Sequence, residues 1–93
     1  MDVNAAKKIA REYLVDLFDD ENITGVGIEE IVRDHETDQW RITFGFARPP
    51  EQTTNLATLW GLTTTRAYKT VHVNDGDGIV TAVTDRLLPD FKF

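Results

Sequence analysis

Apolar and polar residues alternate from Trp40 to Phe46, and the alternation sorts that stretch into two faces. Trp40, Ile42, Phe44 and Phe46 fall on one side, and Arg41, Thr43 and Gly45 on the other. Period two marks a strand with one buried face, because successive side chains leave it in opposite directions. Residues 39–48 are therefore predicted as a strand, stopped by Pro49-Pro50, which donate nothing to a ladder. Upstream, residues 25–34 read as a strand whose phase breaks: Val26 and Ile28 agree, and Ile31 does not. A bulge near Glu29 restores Ile31 to the core side. His35-Glu36-Thr37-Asp38 forms the connecting turn. Two more strands, 64–74 and 79–87, flank Asn74-Asp75-Gly76-Asp77-Gly78, whose residue types suit a tight turn.

The first eighteen residues change period. Val3, Ala6, Ala10, Tyr13, Leu14 and Leu17 recur three and four apart, with Ile9 and Phe18 widening the stripe. This spacing predicts an amphipathic helix over 3–18, capped by Asp2 or Asn4 and ending within 19–22. The expectation is one α+β domain over 1–93. Its N-terminal helix lies across one face of a four-stranded antiparallel meander, on Trp40, Ile42, Phe44, Phe46, Val71, Val73, Ile79 and Val83. The opposite face carries Arg41, Thr43, Tyr68, Thr70, His72 and Thr81 and is left uncovered.

Composition narrows the function classes. With 93 residues and 41% hydrophobic content, the chain has room for a modest core. Its formal charge of −6 argues against binding a phosphate backbone, which needs clustered Lys and Arg. Neither Cys nor Ser occurs, so thiolate metal sites, disulfides and the two commonest covalent nucleophiles are excluded. No apolar run reaches bilayer length and the first eight residues are polar, so the expectation is a cytoplasmic protein without a membrane contact.

Several clusters invite chemistry. Asp75-Gly76-Asp77-Gly78 has the look of a calcium loop, but the twelfth position from Asp75 is Arg86, where a bidentate carboxylate is needed. A hairpin turn accounts for it better, as a solvated turn does for Asp34-His35-Glu36-Thr37-Asp38. Thr70 and His72 share a strand face but lack an orienting acid, so they form no catalytic unit. Asp16, Asp19, Asp20 and Glu21 crowd the helix C-terminus, against its dipole, as a solvated surface or a docking patch. Residues 49–63 are the long irregular stretch, and Leu56, Leu59, Trp60 and Leu62 bring apolar area to it. That area covers the end of the core or meets another subunit, with Trp a favoured interface anchor.

The helix segment Ala6-Lys7-Lys8-Ile9-Ala10, the run Tyr68-Lys69-Thr70-Val71-His72-Val73 and Asp77-Gly78-Ile79-Val80 carry a resemblance. In element order, and in these pieces, the chain resembles the cystatin-like group of small α+β domains, and within it the PepSY-type domains. The resemblance implies a domain that binds or restrains proteins, often peptidases. The glutamine-valine-glycine loop of true cystatins is absent, so thiol-protease inhibition is not implied.

Together these readings predict a non-catalytic protein-interaction module without cofactor or metal, with self-association as one form of the interaction. The candidate interface comprises Leu56, Leu59 and Trp60 of the loop and Arg41, Thr43, Tyr68, Thr70 and His72 of the open face. Tyr68 and Trp60 are the expected apolar anchors. The alternative is a small-ligand-binding or enzymatic domain with a pocket between helix and sheet.

Overall fold

The computed structural model describes residues 1–48 and 65–85. Helix α1 spans Val3–Leu17, and Asp2 caps it, its carboxylate accepting from the Ala5 N–H at 2.8 Å. A short 3-10 turn, Asp19–Glu21, follows the helix. Asn22 then takes a left-handed conformation (φ 53°) that an Asn tolerates, and turns the chain into the sheet. Strands β1 (Thr24–Asp34), β2 (Gln39–Arg48), β3 (Thr65–Asn74) and β4 (Val80–Asp85) pair antiparallel in the order β1-β2-β3-β4. The architecture is the α+β meander expected from the two periods.

The phase break in the first strand is a bulge. Register slips between Ile28 and Glu30, which sets Ile31 opposite Ile42 and returns it to the helix side. Two further slips occur, one between Thr24 and Gly27 in β1 and one opposite His72 and Val73 that leaves Thr81 as an extra residue in β4.

The core lies between α1 and the sheet. Ala6, Ala10, Leu14 and Phe18 form one row at four-residue spacing, and meet Ile42, Phe44, Phe46, Val71 and Val73. The two alanines let the helix approach closely, and Phe18 packs on Phe46 with ring centroids 5.2 Å apart. Arg11 lays its guanidinium 5.6 Å from the Phe44 ring centre and donates to the Val26 carbonyl, bringing the helix to β1.

Five residues expected on the core side are exposed instead: Val3, Tyr13, Leu17, Ile31 and Ile79. The helix seats through its single four-spaced row, so positions flanking that row stay at the rim. Ile79 belongs to the β3–β4 connection and precedes the strand. Trp40 is half-buried at the sheet end, where its indole N–H donates to Asp75 at 2.8 Å.

Candidate functional site

The face of the sheet away from α1 divides into two regions around β2. In the first, Glu29 and Arg66 pair at 3.3 Å, and Arg66 also donates to the Gly25 carbonyl. This bridge passes over Gly45 of β2. A Cβ there would lie 2.6 Å from Glu29 Oε1, 2.9 Å from an Arg66 nitrogen and 3.0 Å from the Tyr68 ring. Gly45 is thus a requirement of close approach, and three side chains from two neighbouring strands close this region.

The second region is a concavity of about 460 Å³. Its floor is the hydroxyl pair Thr43–Thr70, 2.8 Å apart, with Thr43 only 2% exposed. On one side Glu30 and Val32 of β1 rise over the floor, and Arg41 of β2 stands beside them. On the other, His72 Nε2 meets the Thr84 hydroxyl at 3.0 Å, and Asp85 ends the wall. Burial, and secondarily the Arg41 charge, hold the His72 pKa below its ordinary value of 6.5. Both effects favour the neutral imidazole. Asp85 is engaged by Lys69, whose hydrogen bond and charge lower its pKa. Arg41 and Glu30 are both exposed, and among the described residues neither takes part in an ion pair.

This arrangement offers fixed hydroxyls, an imidazole and two opposite charges on a shallow floor. His72 bonds Thr84, while Thr70 bonds Thr43, so the Thr70–His72 juxtaposition expected along β3 resolves into two cross-strand pairs. Among the described residues no three His, Asp or Glu side chains converge as metal ligands.

Of the residues singled out from sequence, Arg41, Thr43, Thr70 and His72 come together in the concavity, and Tyr68 lies in the closed region. Thr81 sits at its bulge, bonded to Gln39 and to the His72 carbonyl. Leu56, Leu59 and Trp60 lie outside the described residues. Sequence reasoning missed Glu30, Val32, Thr84 and Asp85. For Glu30 and Val32 a partial signal was present, because the bulge at Glu29 sets which β1 residues share the face of Thr43 once the strands pair.

The two acidic turns are built on side-chain hydrogen bonds. Asn74 Oδ1 accepts from the Gly76 and Asp77 N–H groups, and Gly78 takes φ 72°. Asp34 Oδ1 accepts from the Glu36 and Thr37 N–H groups. Asp75 accepts from the Trp40 indole and the Met1 amino group and lies 3.4 Å from Arg33. The Trp40 bond foremost, then the Met1 bond, lowers its pKa.

Compared with known proteins, the chain matches no family model, no curated protein and no solved structure. Among the described residues no helix is long and apolar enough to cross a membrane.

Proposed function

We propose that this chain is a non-catalytic protein-interaction module of the cytoplasm that meets its partner through the open sheet face. The observation that carries the reading is the state of the groups in the concavity. The floor hydroxyls are satisfied within the fold, whereas Arg41 and Glu30 project without an ion pair among the described residues. Groups held on rigid strands with unused charge supply partner specificity at little ordering cost. The PepSY-type resemblance points the same way. The space between α1 and the sheet is filled by Leu14, Ile42, Phe44, Phe46 and Val71, all fully buried, which weighs against a ligand pocket there.

Site-directed photo-crosslinking in expressing cells tests this reading. A benzophenone amino acid at Thr84, beside the concavity, is compared with one at Lys8 on the exposed side of α1. The reading expects a discrete protein adduct from position 84 and none from position 8. Equal labelling from both, or none from position 84, contradicts it.

A further inference from the structure

We propose that the partner of the open face is a second copy of this chain, paired by a two-fold axis that sets Arg41 of each copy against Glu30 of the other. The proposal rests on the interaction reading above and goes further by naming the partner.

Charge distribution is the first argument. The chain carries −6 overall. Six of its exposed carboxylates cluster at the helix end (Asp16, Asp19, Asp20, Glu21) and the β1–β2 turn (Glu36, Asp38). The open face differs: two carboxylates, Glu29 and Glu30, stand with two guanidinium groups, Arg41 and Arg66, and the third carboxylate at its edge, Asp85, is matched by Lys69. A basic partner is drawn to the acidic turns and helix end. A second acidic chain is repelled there and approaches most easily through the balanced face.

The second argument is self-complementarity. A two-fold interface brings one patch against itself, so it needs both signs of charge on that patch. Glu30 and Arg41 satisfy this on neighbouring strands: Glu30 is opposite Thr43, and Arg41 lies two residues from Thr43 on β2. An axis passing between them forms the Arg41–Glu30 contact twice.

The third is area. Four strands about 4.8 Å apart and roughly 20–30 Å long present on the order of 500 Å² per copy. Both copies together reach about 1,000 Å², near the lower bound for a specific interface. The self-association expected is therefore reversible.

Sedimentation velocity across a concentration series tests this on wild type, Glu30→Arg, Arg41→Glu and an equimolar mixture of the two variants. Circular dichroism verifies folding, which exposed positions should not disturb. The expected result is a wild-type dimer, monomeric single variants, and a dimer regained on mixing, because the variants restore opposite charges in the new pairing. A monomeric wild type overturns the proposal, as do single variants that dimerise like wild type or a mixture that stays monomeric. A monomeric wild type that still yields a crosslink to a different protein from position 84 overturns self-pairing and leaves the interaction reading standing. Loss of both results removes the interaction reading as well.

Discussion

The helix-covered face and the open face are made by the same four strands, yet they use side chains in opposite ways. On the covered face Ile42, Phe44, Phe46, Val71 and Val73 are removed from water and held by shape. On the open face Thr43 is equally buried but is held by one hydroxyl partner, Thr70. Around it stand charged groups, some paired, as Glu29 with Arg66, and some free of ion pairs among the described residues, as Glu30 and Arg41. Alternation thus separates a buried apolar face from a polar, charged one within one strand. β2 contributes Phe44 to the first face and Arg41 to the second, three residues apart. Substitutions can change one face and spare the other.

The largest effect belongs to the covered face. Phe44→Ala removes a fully buried aromatic ring from beneath α1. It should cost about 3–5 kcal/mol, read as a lowered urea midpoint with far-UV circular dichroism. A loss below about 1 kcal/mol would break the division of labour, since Phe44 would then not be a core residue.

A smaller effect is expected at the open-face floor. Thr43→Val leaves the Thr70 hydroxyl without its 2.8 Å partner, at a cost of about 1–2 kcal/mol. The double variant Thr43→Val/Thr70→Val removes both hydroxyls and should recover most of that loss. A double-mutant cycle in urea measures the coupling, and additive losses would show that the hydroxyl pair is not the holding element.

The smallest effect is a pH dependence confined to the open face. Folded His72 has a pKa below 6.5, so as pH falls the unfolded chain takes up its proton first. Stability contributed by the neutral ring is complete above 6.5 and is lost as pH drops through the lowered folded value. The wild-type urea midpoint should fall between about pH 7.5 and about pH 5.5 more than that of His72→Gln. Identical slopes would place His72 in an ordinary solvated setting.

Much of this division was legible in the sequence, because both periods are local. The β2 boundaries, the Asp2 cap, the bulge at Glu29 and the turn at Asn74 each follow from residues within one element. The helix stripe overreached at Val3, Tyr13 and Leu17, since periodicity marks a face but not how widely the sheet covers it. The site was partly legible. Arg41, Thr43, Thr70 and His72 share faces by counting, whereas Glu30, Val32 and Thr84 join them only through pairing between strands. The Glu29–Arg66 bridge over Gly45 joins residues 37 apart and leaves no local trace beyond the glycine itself.

The central claim is that the open face is the one that becomes covered when this protein works. Carbene footprinting tests it directly, comparing the dilute purified chain with the same chain in extract of the cells that express it. The account predicts that labelling at Val32, Tyr68 and His72 falls in the extract, while labelling at the exposed helix residues Tyr13 and Leu17 is unchanged. Equal labelling of the open face in both samples, or protection at Tyr13 and Leu17 instead, would contradict it.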